Sequence, residues 1–92
     1  MGKGFGLNGR GLESRGKVIQ ECNQQGIVVV RIIVNRDGDV IAAEPGVKGS
    51  TNTHPCLLKP AKATAILHKW FPDYDAPPQQ IGFVVIQFKL SE

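Results

Sequence analysis

From Ile27 to Asn35 the chain is an almost unbroken β-branched run, IVVVRIIVN, in which successive strand side chains point to opposite faces. Val28, Val30, Ile32 and Val34 share one wholly apolar face. Ile27, Val29, Arg31, Ile33 and Asn35 make the other, interrupted by Arg31 and Asn35. The pattern predicts a central strand with one core face and one half-wet face. Arg36-Asp37-Gly38 follows, then a shorter apolar run from Asp39 to Glu44. Asp-Gly between two such runs is a strong hairpin signal, because Gly38 accepts the positive φ of a tight turn. Pro45-Gly46 ends the returning strand, since proline has no N–H to give to a ladder.

Val47 to Thr53 is a polar loop, and Ser50-Thr51-Asn52-Thr53 carries no chemistry beyond a role at the start of a helix. Pro55 holds His54 extended and suits an opening helical turn. Pro60 is awkward in a continuous helix: it removes one hydrogen bond and clashes with the carbonyl of Cys56, at a cost of about 3 kcal/mol. The spacing therefore predicts a regular helix from near Pro60 to Trp70, with Pro55–Lys59 as a preceding turn or kinked first segment. Leu58, Ala61 and Ala65 set its apolar stripe, which Ala63, Ile66, Leu67 and Trp70 widen. Lys62 and Lys69 lie off the stripe, Lys69 suits the C-terminal dipole, and Pro72 stops the helix. DYDAPPQQ, residues 73–80, connects to a last strand over Ile81–Leu90. There Val84, Ile86, Phe88 and Leu90 face one way and Val85, Gln87 and Lys89 the other.

The first sixteen residues hold Gly2, Gly4, Gly6, Gly9, Gly11 and Gly16, and this raises the entropy cost of ordering them. They are expected to form a flexible or loosely docked arm, with Phe5, Leu7 and Leu12 as local anchors. The folded unit is expected over 17–92. Residues 17–22, KVIQEC, read as a minor strand, and Asn23–Gly26 as a turn. The predicted fold class is α+β: a small three-stranded antiparallel sheet (hairpin plus last strand) packed on one helix.

Composition adds limits to this picture. Ninety-two residues with 41% hydrophobic and 21% charged content make one small globular domain with a shallow core. Nothing approaches the run of about eighteen apolar residues that a membrane helix needs, and MGKGFGLNGRG lacks a signal-peptide centre. The net charge of +3 is scattered along the chain, which argues against nucleic acid as a partner. Cys22 and Cys56 are the two cysteines, at a spacing that gives no metal signature. Free thiols are the simpler reading, and a single disulfide between the approach to the first long strand and the start of the helix is the alternative.

Catalytic and cofactor chemistry is not expected. His54 and His68 stand apart from any nucleophile or carboxylate that would complete a triad. His68 reads as a helix-surface or boundary residue. Asp37 and Asp39 flank the turn glycine without the spacing or terminal Glu of a calcium loop. The glycines of GKGFG and GLNGRG lack the Lys-Ser/Thr of a phosphate loop. Trp70 reads as a core plug.

Three ordered words remain: GFGLNGR near the start, GIVVVRIIVNRDGDVIAAEPGVKGST through the hairpin, and LLKPAKATAILHKWFPDYDAPPQQIGFVVIQFKL to the end. Together they resemble the C-terminal domain of TonB-family energy transducers over about residues 5–92. Pro60 departs from the family pattern, which keeps a helix former there. The resemblance implies a periplasmic, non-enzymatic domain whose full-length protein is anchored in the inner membrane. It implies two partners: the TonB-box segment of outer-membrane TonB-dependent transporters, and inner-membrane proton-channel proteins engaged through a region upstream of Met1. On that reading the chain is a fragment. A sensory or regulatory module, the same fold fused to another membrane protein, is the alternative.

The resemblance also names a docking element, the last strand: Gly82, Phe83, Val84, Val85, Ile86, Gln87, Phe88, Lys89 and Leu90. The physical ground is independent of the family. A three-stranded sheet leaves unpaired N–H and C=O groups along its edges, and an extended peptide adds there. A homodimer through the same open edge is the competing use of it.

Overall fold

The computed structural model describes residues 5–6 and 11–90 of the chain. In order, the elements are β1 (Phe5–Gly6), β2 (Leu12–Ser14), β3 (Gly26–Val34), β4 (Val40–Pro45), α1 (Pro55–Ile66), β5 (Lys69–Trp70) and β6 (Gln80–Phe88). The three long strands form an antiparallel sheet with β3 in the middle, and β1 adds two residues beyond β6, giving the order β1-β6-β3-β4. A second, two-stranded sheet pairs β2 with β5. The domain is α+β, three long antiparallel strands and one helix.

Register explains why the faces agree. Val28 pairs with Ile86, Val30 with Val84 and Gly26 with Phe88, so the even-numbered side chains of β3 and β6 share one face. On that face Val28, Val30, Ile32, Val34, Val84, Ile86 and Phe88 pack against Leu57, Ala61 and Ala65 of α1 and against Trp70. This is the alternation the sequence carries. The odd face stays uncovered over much of its area, with Ile81, Phe83 and Val85 at 50%, 46% and 42% exposure.

The hairpin turn closes as expected. Gly38 has φ +93°, and its N–H donates to the carbonyl of Asn35 at 3.1 Å. Asn35 and Asp39 close the ladder (Asn35 N–H to Asp39 O, 3.0 Å), and the Asn35 side chain accepts the Asp39 N–H at 2.9 Å.

The helix differs from expectation at both ends. It runs unbroken from Pro55 to Ile66, straight through Pro60. Leu57 lies on one side of the proline and Ala61 and Ala65 on the other, and all three are fully buried on the same face. A break at Pro60 would unseat one side or the other, so packing overrides the lost hydrogen bond. His54 caps the start, its Nδ1 accepting the Cys56 N–H at 3.1 Å, with Pro55 at the first helical position where no donor is needed.

At the far end, Pro72 is not the stop. Leu67 is the C-cap, and the His68 ring donates from Nδ1–H to the Thr64 carbonyl at 2.9 Å. The chain then turns extended because the hairpin tip captures it. The Trp70 N–H donates to Gly38 O at 2.9 Å, and Lys69 Nζ reaches both Asp37 O and Asp39 Oδ1. Lys69 therefore serves the hairpin, not the helix dipole, while Trp70 is the buried plug the sequence indicated, seated on a strand.

Ahead of β3 the minor strand and the free thiols are corrected, while Leu12 anchors part of the arm as expected. Residues 17–22 form no strand; the minor strands lie earlier, at Phe5–Gly6 and Leu12–Ser14. Leu12 pairs with Trp70 and packs on the core, so part of the glycine-rich arm is docked. The expected anchoring by the Phe5 and Leu7 side chains, with most of the arm over residues 1–10, falls outside the described residues. Cys22 and Cys56 are joined in a disulfide with Cα atoms 6.1 Å apart, not free. That bond and a Val18 N–H donated to Thr64 Oγ1 (2.9 Å) hold residues 17–22 against α1 without any strand pairing.

The polar loop after β4 has structural work beyond the start of the helix. Where Pro45 ends the ladder, Ser50 Oγ accepts the Val29 N–H at 2.9 Å and Thr51 Oγ1 the Ile27 N–H at 2.8 Å. These hydroxyls complete the hydrogen bonding of the first part of β3. Asn52 joins the loop to the next element, donating to Gln25 O and accepting the His54 N–H.

Candidate functional site

The expected docking strand is β6, and its two long sides differ. One side pairs along its whole length with β3, from Val34↔Gln80 to Gly26↔Phe88. The other side meets two neighbours with a stretch between them. The backbone of β1 pairs with it at Phe5↔Val84 and Gly6↔Phe83. Just past its C-terminal end, the Lys89 carbonyl accepts from Gln20 Nε2 at 2.9 Å, which also donates to Gln24 O. Between these, Val85 to Phe88 has no strand partner on that side among the described residues.

This open stretch borders a cleft of about 360 Å³, lined on the strand side by Val84 to Gln87 and on the other by Arg15, Gly16 and Lys17, with Thr64 and His68 in its wall. Tight backbone packing builds the outer wall. A Cβ at Gly16 would lie 2.8 Å from the Cβ of Leu67, so only glycine lets residues 15–17 pass this close to the end of α1. His68 is 6% exposed. Burial lowers its pKa below the ordinary 6.5; the bond to the Thr64 carbonyl opposes this, and the charge of Arg15 adds to it. Burial therefore favours the neutral imidazole.

Of the nine residues expected to form the docking element, Gly82 to Phe88 lie within β6, and Lys89 and Leu90 follow it. Gly82 is buried opposite Ile32, Phe83 and Val84 are the pair covered by β1, and the Lys89 carbonyl is engaged. Val85, Ile86, Gln87 and Phe88 have no strand on their outer side among the described residues. The unpaired stretch is thus shorter than the strand the sequence indicates, because Phe5–Gly6 pairs with part of β6.

The second edge of the sheet, β4, has no strand on its outer side among the described residues. It carries a bulge: Ile33 pairs with Ala42 and Val34 with Val40, which leaves Ile41 between them, half exposed. Bulges bend a strand and disrupt its ladder, so the less regular edge is β4.

The residues that sequence reasoning missed are Arg15, Lys17, Thr64 and His68. They lie well before the start of β6 at Gln80, and no periodicity relates them to it. The one available signal was the Cys22–Cys56 pair, which brings residues 17–22 to the helix once it is bonded. The other tempting residues have local structural roles. His54 caps the helix, and Asp37 and Asp39 receive Lys69. Among the described residues no group of three or more His, Cys, Asp or Glu side chains is gathered to hold a metal ion, and no helix is long and apolar enough to cross a membrane.

Compared with protein-family models, with curated proteins and with solved structures, the chain matches none.

Proposed function

We propose that this chain is a periplasmic protein-interaction domain of a TonB-like energy transducer. It takes the TonB box of an outer-membrane transporter by β-strand addition and so supports active uptake. The observation that carries the reading is the rim of β6 from Val85 to Phe88: a regular, bulge-free strand, fully paired on one side and, among the described residues, without a strand on the other. Backbone N–H and C=O groups on such a rim pair with any extended segment, and neighbouring side chains set its register. The order of elements, hairpin then helix then last strand, and the three sequence words behind the resemblance support the same assignment. The inner-membrane proton-channel partners and the membrane anchor belong to this reading through the resemblance alone.

Calorimetric titration with TonB-box peptides tests it. Main-chain pairing predicts measurable binding by the parent peptide and loss of binding when alternate residues are replaced by proline, which cannot donate to a ladder. Equal binding by the proline-substituted peptide, or no binding by TonB-box peptides from the same genome, would refute it. β4 is the rival acceptor, with no strand on its outer side among the described residues, and mapping the bound peptide to Val40–Pro45 would select it.

A further inference from the structure

The cleft beside the open rim has a charge as well as a shape. Its outer wall carries Arg15 and Lys17, both exposed, and none of the described residues lining it is acidic. Arg15 has no ion-pair partner among the described residues. The backbone under it is fixed: Gly16 rests on Leu67, and the Val18 N–H is held by Thr64 Oγ1. A guanidinium on a pinned backbone, facing a rim that accepts extended chain, is placed to read one side chain of whatever lies there. Arg presents a planar fork that matches a carboxylate, a geometry Lys does not offer.

We infer that Arg15 is a specificity-determining residue of this rim, selecting extended peptides that carry a carboxylate side chain opposite Val85–Gln87. The inference rests on strand addition at β6 and adds to it the chemical class of the ligand. Main-chain pairing gives affinity that is blind to sequence, and the cleft adds discrimination on its outer side. Apart from Arg15 and Lys17, the groups facing His68 across the cleft are uncharged: Thr64 from α1 and Val84 to Gln87 from β6. A carboxylate entering there would add a negative charge beside the imidazole and raise its pKa.

The test uses the whole 92-residue chain, ¹⁵N-labelled, and a pair of extended peptides that differ by one Glu or Gln. The Glu peptide is expected to bind up to about fivefold tighter than the Gln peptide, the ceiling for an exposed ion pair. In Arg15→Gln that preference disappears while the amide shifts at Val85–Gln87 persist, and in Arg15→Glu it reverses toward a Lys peptide. Lys48→Gln, in the loop after β4, keeps the full preference. The His68 ring resonances should report a higher pKa with the Glu peptide bound than with the Gln peptide. Shifts at Val85–Gln87 with equal affinities for Glu and Gln would overturn the role of Arg15 and leave strand addition standing. No shift in β6 with either peptide would remove both.

Discussion

Gly38 and Trp70 are joined through their backbones: the Trp70 N–H donates to the Gly38 carbonyl at 2.9 Å, and a Cβ at Gly38 would fall on the Trp70 carbonyl oxygen. Gly38 also sits at φ +93°, where L side chains are strained. One residue thus meets two demands, the hairpin turn and the close passage of the chain that leaves the helix. Gly38→Ala should cost more than the about 1 kcal/mol of turn strain alone, reaching about 3 kcal/mol or more, because backbone must move on both sides. Urea unfolding measures this. A loss under about 1 kcal/mol would show that the two segments separate without penalty.

The disulfide closes a loop with a sequence separation of 34. Chain-entropy arithmetic for a loop of that size gives about 3–4 kcal/mol of stabilisation. The Cys22→Ser/Cys56→Ser double variant should lose about that much in chemical denaturation. A dithiol reductant should shift the parent protein by a similar amount and leave the variant unchanged.

His68 makes stability depend on pH. Its folded pKa is depressed, chiefly by burial, so as the solution is acidified the unfolded chain takes up its proton first. The contribution of neutral His68 is complete above 6.5 and is lost as pH falls through 6.5 toward the folded value. The parent should lose stability between pH 7 and pH 5 more steeply than His68→Gln does. Parallel slopes for the two proteins would contradict the assignment.

Ser50 tests the loop that finishes the sheet. Removing its hydroxyl leaves the Val29 N–H without its partner on a residue only 8% exposed. Ser50→Ala should cost about 1–3 kcal/mol by thermal or urea unfolding, and Ser50→Thr much less.

Much of the fold is legible in the residues, for physical reasons. Period-two alternation fixed the inward sets Val28–Val34 and Val84–Phe88, because a strand has one way to bury its apolar side. Asp37-Gly38 marked the turn through its φ requirement. The helix ends were not legible. Pro60 is tolerated because Leu57, Ala61 and Ala65 are buried on one face, and the helix stops at Ile66 because Gly38, Asp37 and Asp39 capture Lys69 and Trp70. Both causes are contacts between segments distant in sequence. The candidate site was half legible: β6 announces itself as a strand, whereas the β1 pairing and the Arg15–Lys17 wall depend on where a glycine-rich segment docks. Composition cannot report that.

The most direct measurement is amide hydrogen exchange at Val85, Ile86, Gln87 and Phe88, with and without a saturating TonB-box peptide. Strand addition at β6 predicts that the outward-facing amides among these slow on binding while those of Val40–Pro45 are unchanged. Slowing confined to Val40–Pro45, or none in either strand, would contradict it.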